Sequence, residues 1–204
     1  MRRIGCPVTP EDKRSTLPVN PDTSRRVAAI LAQHGLHPGR FVLLHPTSRW
    51  LYKCWLPERY AEVINALGAG GFRVVVTAAP SAEELAFVER IMRAVTAPAV
   101  NLAGQLTLPE LGAVIGQASC FLGVDSVPMH MAAAAGTPLV ALFGPSSQAI
   151  WAPKGKGVTV LSSTTRACLP CLKHGCGNSG RSECLEDLTR EHVLAALKPL
   201  LPVR

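Results

Sequence analysis

Residues 120–143 read CFLGVDSVPMHMAAAAGTPLVALF, and this stretch decides the fold. Two apolar runs, 120–124 and 138–143, have the length and composition of buried strands. The segment 127–135 between them is rich in alanine and is followed by Gly136, which is typical of a helix with a glycine stop. A strand, a helix and a second strand in this order predict two parallel strands joined by a helical crossover.

The same alternation extends outward on the N-terminal side of that stretch. Apolar runs at 41–44, 72–77 and 100–102 alternate with helical patterns at 57–67, 81–95 and 107–118. Capping boxes mark two of the helix starts, Ser81 with Glu84 and Thr107 with Glu110. We therefore predict an α/β fold, a Rossmann-like doubly wound parallel sheet covered on both faces. In such sheets ligands bind beyond the carboxyl ends of the strands.

The composition is that of a soluble globular protein with anionic partners. Of 204 residues, 48% are hydrophobic and 17% are charged, and the formal net charge is +7. A basic excess favours nucleic acid, phosphorylated substrates or an acidic membrane surface as partners. No stretch approaches the roughly 20 apolar residues that span a bilayer, and no apolar region follows the basic N-terminus. We therefore expect a cytoplasmic protein without a transmembrane segment.

The sequence divides into three parts. Residues 1–40 combine a proline-rich stretch with a short amphipathic helix that follows residues 21–24 and ends at Gly35, and are predicted to be mainly a linker. Residues 41–165 carry the alternating pattern and are predicted to form the ligand-binding domain. Residues 166–204 hold a cysteine-rich segment and a terminal helix that begins after Thr189.

Polar residues follow the first predicted strand. Thr47 and Ser48 supply hydroxyls, and Arg49 and Lys53 supply cations. Hydroxyls and exposed amides bind phosphate oxygens, and a lysine gives a point charge that suits a diphosphate. The alternative is a solvated loop in which Thr47 caps a turn.

The helix after the fourth strand begins at a second candidate site. Ser126 is a good N-cap, and Pro128 lies in the first turn, where its missing N–H carries no penalty. A helix that starts at Val127, at the mouth of a sheet, points free amides outward and forms an anion site. Asp125 would repel a diphosphate and is assigned to sugar hydroxyls or a structural hydrogen bond. The alternative is that Asp125 and Ser126 only cap the helix and that His130 is a core histidine.

Four segments together resemble the ADP-heptose:lipopolysaccharide heptosyltransferases of glycosyltransferase family 9. They are HPTSRW at 45–50 with Lys53 and Trp55, NLAG at 101–104, GVDSVPMH at 123–130 and ALFGP at 141–145. The runs at 47–55 and 127–129 are most similar to the heptosyltransferase III subgroup. The resemblance covers about residues 1–165.

The resemblance implies a GT-B enzyme with an N-terminal acceptor domain and a C-terminal donor domain. This chain would be the donor-binding half, and residues 1–40 would be the interdomain linker and a remnant of the N-terminal domain. The catalytic carboxylate would lie in the missing N-terminal region, so the chain alone would be inactive. The implied substrates are ADP-L-glycero-D-manno-heptose and the lipopolysaccharide inner core, at the inner face of the inner membrane, with no cofactor for catalysis.

Carried over by position, the donor-binding residues would be Thr47, Ser48, Arg49, Lys53, Gln105, Leu106, Asp125, Ser126, Val127 and His130. Lys53 would neutralise the diphosphate, and Asp125 and His130 would meet the heptose and the diphosphate. The loop with Leu106 would border the adenine. The glutamate that often binds ribose in the family falls on Ala82 here, with two glutamates directly after it.

Four of the seven cysteines lie close together in the C-terminal segment: Cys168, Cys171, Cys176 and Cys184. In a cytoplasmic chain such a cluster favours metal binding, and the Cys-x-x-Cys spacing of the first pair is typical of zinc sites. The second pair departs from the usual paired spacing. A structural zinc site is predicted, with free thiols or a disulfide as the alternatives.

Two other functions compete with the transferase. Another GT-B sugar-nucleotide enzyme, such as an epimerase, would need an acid–base pair in this half, and we find no convincing partner for His130. A non-catalytic, zinc-containing nucleic-acid-binding protein would need basic residues around the cysteines. Between residues 166 and 190, four basic side chains are opposed by three acidic ones, so no nucleic-acid partner is expected.

Overall fold

The computed structural model describes residues 15–202 and contains a six-stranded sheet in which every strand pair is parallel. The strands are β1 Phe41–His45, β2 Arg73–Val76, β3 Ala99–Asn101, β4 Cys120–Val124, β5 Leu139–Phe143 and β6 Val158–Ser162. Their spatial order is β3-β2-β1-β4-β5-β6. The predicted Rossmann-like doubly wound sheet is confirmed.

The helices begin where the sequence places proline or a capping side chain. Within the described residues they are α1 Pro21–Gln33, α2 Pro57–Ala69, α3 Ala82–Ala94, α4 Leu108–Gln117, α5 Val127–Ala135, α6 Gln148–Trp151, α7 Glu183–Glu186 and α8 Arg190–Leu197. The Ser81 hydroxyl accepts a hydrogen bond from the Glu84 amide at the start of α3, as predicted. Gly136 ends α5 with a φ of 77°, a left-handed conformation that suits glycine. Over residues 15–202, no helix has both the length and the apolar character needed to cross a membrane.

Side chains of the sheet alternate between two apolar cores. Val42 and Leu44 of β1 point to one face, where they pack with α2, α3 and α8. Phe41 and Leu43 point to the opposite face, where they pack with α1, α4 and α5. All residues of β1, β4 and β5 are buried, so a ligand can reach these central strands only at their ends.

Helix α1 starts a few residues earlier than predicted, at Pro21, and ends just before the predicted glycine stop at Gly35. The Asn20 side chain accepts a hydrogen bond from the Thr23 amide at 2.7 Å, and the helix starts at Pro21. Val27 and Leu31 are buried in the same core as α4 and α5. The part of residues 1–40 that forms this helix therefore packs onto the sheet.

Three elements were not predicted, because their sequences lack a clear period. β6 lies at the edge of the sheet and all five of its residues are only half-buried, so it lacks the wholly apolar signature of the central strands. Helices α6 and α7 have four residues each, which is too short for helical periodicity to show.

Candidate functional site

A cleft lies where the strand order reverses. The chain runs from β1 to β2 and β3 on one side and from β4 to β5 and β6 on the other, so the loops that leave β1 and β4 diverge. Doubly wound sheets bind their ligands at this point. The cleft has a volume of about 660 Å³. It is lined by His45, Thr47, Ser48, Arg49, Trp50, Lys53, Thr77, Ala78, Ala79, Pro80, Glu84, Leu106, Leu108, Leu111, Asp125, Ser126, Val127, Pro128, His130 and Trp151.

An ion pair joins the two loops of the cleft. Lys53 ends a short 3₁₀ turn, Leu51–Lys53, in the loop after β1. Its Nζ lies 2.6 Å from Oδ2 of Asp125, the residue directly after β4. The side chain of Lys53 is 21% exposed and that of Asp125 is 8% exposed. The pair neutralises the carboxylate inside the cleft and holds the ammonium beside the start of α5.

The start of α5 opens into the same cleft. Ser126 is the N-cap residue, but its side chain makes no capping hydrogen bond; the hydroxyl donates instead to the Val124 carbonyl at 3.2 Å. Pro128 has no N–H to satisfy. The amides of the first turn are therefore not capped by Ser126, and an anion placed there would gain from them and from the helix dipole. His130 is exposed, which excludes the alternative of a core histidine.

Thr47 and Glu84 form a buried hydrogen bond at the other side of the cleft. The Thr47 hydroxyl donates to Glu84 Oε2 at 2.6 Å, and the Ala79 amide donates to the same oxygen at 3.3 Å. Thr47 is 0% exposed and Glu84 is 6% exposed. The Thr47 hydroxyl proton is thus already used. Ser48 differs: its Oγ accepts from the Trp50 amide at 3.4 Å, which leaves its O–H free to donate.

From the sequence, Glu84 was predicted to belong to a capping box and was noted as a neighbour of Ala82. Its position in the cleft was not predicted. The signal was present in the spacing of α3. Its buried positions are Glu84, Phe87, Val88 and Ile91, so the glutamate lies on the apolar stripe that faces the protein. A charged residue on such a stripe is buried only where it finds hydrogen-bond donors.

His45 ends β1 and Thr77 directly follows the neighbouring strand β2; both line the cleft, and neither was predicted as a site residue. His45 Nδ1 lies 3.0 Å from Thr77 Oγ1, which also donates to the Leu44 carbonyl at 3.3 Å. Burial without a charged partner lowers the pKa of His45 from 6.5 to about 4, because desolvation disfavours the imidazolium. His45 is therefore neutral at physiological pH. The available signal was a polar residue that closes an otherwise apolar strand.

The remaining predicted residues lie at the rim or outside the cleft. Leu106 and the largely exposed Val127 line it, whereas Gln105 is exposed and its amide donates to the Asn101 carbonyl at 2.9 Å. The Arg49 guanidinium lies 5.4 Å from the centre of the Trp50 ring, a cation–π distance. A second tryptophan, Trp151, also lines the cleft, and neither ring was predicted as a site residue.

The four cysteines predicted to bind zinc, Cys168, Cys171, Cys176 and Cys184, all lie within the described residues. Among residues 15–202, no group of three or more histidine, cysteine or acidic side chains is arranged to hold a metal ion. All four cysteines are free thiols, Cys168 being exposed while Cys184 is buried on α7. Burial raises the pKa of Cys184 to about 11, with smaller contributions from neighbouring cysteines. Cys171 and Cys176 therefore lie near the buried Cys184 thiol.

The fold and the cleft define a Rossmann-like α/β domain of the GT-B glycosyltransferase type. The model of glycosyltransferase family 9 (heptosyltransferase) matches residues 12–181, and the chain belongs to this family.

The chain is similar to named heptosyltransferases. Lipopolysaccharide heptosyltransferase 3 of Escherichia coli (strain K12) is 38% identical over 163 residues, which are 79% of this chain and 46% of that protein. A second Escherichia coli lipopolysaccharide heptosyltransferase 3 is 41% identical over 142 residues, 69% of this chain and 42% of that protein. The solved structure of E. coli ADP-heptose lps heptosyltransferase II superposes with a TM-score of 0.74 at 27% identity, covering 91% of this chain and 53% of that one. The chain thus spans less than half the length of the two curated relatives.

Proposed function

We propose that this chain binds ADP-heptose as the donor half of a heptosyltransferase that extends the lipopolysaccharide inner core. The observation that carries the proposal is the pairing of Lys53 with Asp125 at 2.6 Å, because it brings an ammonium group to the start of α5 inside one cleft. A cation beside uncapped helix amides is the arrangement that stabilises a diphosphate. Family membership and the ADP-heptose named for the relative of known structure support this choice of ligand.

In this proposal different residues of the cleft bind different parts of the donor. The diphosphate takes the Lys53 ammonium, the first amides of α5 and the Ser48 hydroxyl, each of which gains as negative charge develops on the departing ADP. Asp125 retains one oxygen for a heptose hydroxyl while the other pairs with Lys53. His130, exposed one turn into α5, faces the junction of the sugar and the phosphates.

The adenosine would lie toward the loop after β3. Leu106 and Leu108 offer apolar contacts there, and Leu108 is 61% exposed without a ligand. Glu84 then takes the ribose, the role that its family assigns to the position of Ala82. Only Oε2 of Glu84 accepts hydrogen bonds from the described residues, which leaves the other oxygen for a hydroxyl. Gln105 is the exception among the predicted residues, since it has to leave the Asn101 carbonyl before it can contact a ligand.

The transfer itself would be an inverting displacement. A carboxylate from the acceptor-binding half takes the proton of the acceptor hydroxyl, and that oxygen attacks the anomeric carbon of heptose. The new C–O bond forms as the bond from the anomeric carbon to the diphosphate breaks, and ADP leaves with the electron pair. Since this chain supplies the leaving-group side, we propose that it binds the donor but does not transfer the sugar alone. The acceptor would be met at the inner face of the inner membrane.

The test combines binding with transfer on the purified chain. Calorimetric titration is expected to show saturable ADP binding that ADP-heptose competes away, and weaker binding of adenosine, which lacks the phosphates. Incubation with ADP-heptose and a core acceptor is expected to leave the acceptor unchanged by mass spectrometry. Absence of ADP binding at millimolar concentration overturns the donor assignment, and a glycosylated acceptor overturns the claim that the chain is inactive alone.

A further inference from the structure

The cysteine-rich segment contacts the loop that carries Lys53 at three points. The Ser182 hydroxyl donates to the Tyr52 carbonyl at 2.6 Å. The His174 ring stacks on the Tyr52 ring with centroids 4.9 Å apart and planes 20° apart. The Trp55 indole N–H donates to the Leu188 carbonyl at 3.0 Å. We call residues 172–189, which supply all three contacts, the brace.

These contacts fall on both sides of Lys53. Tyr52 directly precedes it and Trp55 follows it by two positions. The 3₁₀ turn that ends at Lys53 has no buried residue and no side-chain cap, so the turn itself contributes little to holding its own position. By contrast Ser182 is 5% exposed and Trp55 is 1% exposed, so solvent competes little for their hydrogen bonds. The brace therefore anchors the loop on both sides of Lys53, in addition to the ion pair of Lys53 with Asp125.

The brace also reaches the third loop of the cleft. The Leu172 amide donates to the Pro145 carbonyl at 2.9 Å, just after β5. A Cβ placed on Gly144 would lie 2.9 Å from the side chain of Leu185, so the brace packs directly against that backbone. One segment thus spans the loops after β1 and β5, on the two sides of the loop after β4 that carries Asp125.

We propose that the brace positions Lys53 for the donor diphosphate, with Ser182 and His174 as the positioning residues. This proposal rests on the proposed function, since it concerns the same cleft. It gives the C-terminal segment a role that does not depend on its cysteines. Because neither side chain lines the cleft, each acts through the loop and neither touches the ligand.

The experiment compares ADP with adenosine, because only ADP uses Lys53. Ser182→Ala is expected to weaken ADP binding by about fivefold to tenfold, the loss of one buried hydrogen bond, and to change adenosine binding by less than about twofold. His174→Ala is also expected to lower the ratio of ADP affinity to adenosine affinity. His174→Phe keeps an aromatic ring on Tyr52 and is expected to restore most of the ratio.

Ser163→Ala is the matched control, because the Ser163 hydroxyl donates to Asp187 at 2.7 Å in the same region but makes no contact with the Lys53 loop. Its ADP-to-adenosine ratio should equal that of the unmodified chain. Thermal melts show whether each variant folds, and His174→Ala carries the test if Ser182→Ala does not. If the unmodified chain fails to bind ADP, the proposed function fails. If it binds ADP and both variants keep its affinity ratio, the brace alone is overturned.

Discussion

Replacing Lys53 with methionine tests the electrostatic basis of the cleft most directly. The substitution keeps the length of the side chain and removes its charge, and it has two effects on ADP. The diphosphate loses a charge-assisted hydrogen bond, worth about 2 kcal/mol. Asp125, whose side chain is 8% exposed, also loses its partner at 2.6 Å and faces the phosphates uncompensated. After solvent screening that repulsion adds about 1 kcal/mol.

The two contributions predict a loss of about 3 kcal/mol in ADP binding, or roughly 150-fold in Kd. The second can be isolated with Asp125→Asn. In the Lys53→Met background this change removes the repulsion and is expected to recover about fivefold in ADP affinity. In the unmodified chain it leaves ADP affinity within about threefold but weakens ADP-heptose, because the carboxylate is assigned to the sugar.

Isothermal titration of ADP and ADP-heptose against the four proteins of this double-mutant cycle gives all the required affinities. An ADP affinity for Lys53→Met within twofold of the unmodified chain would refute the reasoning. So would additivity of the two substitutions, since a pair that acts together on one anion has to couple.

Three further predictions concern stability. Burial lowers the pKa of His45 from 6.5 to about 4 in the folded chain, so as the pH falls the unfolded chain binds the proton before the folded chain does. The contribution of neutral His45 to the free energy of unfolding is therefore complete above pH 6.5 and falls as the pH drops toward 4. In urea unfolding, the free energy of unfolding should fall between pH 7.5 and 4.5 by about 2.5 kcal/mol more for the unmodified chain than for His45→Gln. Equal decreases for the two proteins would contradict this prediction. Thr47→Val, which leaves the Glu84 carboxylate with one donor fewer, should lower the free energy of unfolding by about 2 kcal/mol, whereas Thr47→Ser should lower it far less. Gly123→Ala places a Cβ 2.5 Å from the Phe121 ring and should lower it by about 1 to 3 kcal/mol in the same assay, so an unchanged midpoint would argue against the packing described.

The sheet could be read from the sequence because its central strands are uniformly apolar. β4 and α5 have the predicted bounds, Cys120–Val124 and Val127–Ala135, since a buried strand and an alanine-rich helix with a glycine stop each leave a clear local pattern. β6 leaves no such pattern, because an edge strand that is half-buried throughout needs only part of its surface to be apolar. The hydrophobic pattern of a segment indicates how it is buried, and this signal is weakest where the segment is only partly buried.

The sequence predicted several of the residues that lie at the candidate site, but not which of them pair with one another. Position after a strand was enough to place Ser48, Lys53 and Asp125 at one rim. That Lys53 pairs with Asp125 depends on contact between residues 72 positions apart, and no local pattern encodes it. The zinc prediction meets the same difficulty: spacing along the chain groups four thiols, but it does not determine whether they meet at one point.

The hydrogen bond from Trp55 to Leu188 closes a loop of 133 positions and has a consequence for biosynthesis. A nascent chain emerges from its N-terminal end, and β1 through β5 can pair while the last helices are still being translated. The turn that carries Lys53, however, acquires its anchors in the brace only after Ser182 and Leu188 have been made. If the brace positions Lys53 as proposed, donor binding is completed only after this segment has been made. A nonsense codon between the end of β6 and Ser182 would remove both the brace and the α8 residues that cover one face of the sheet.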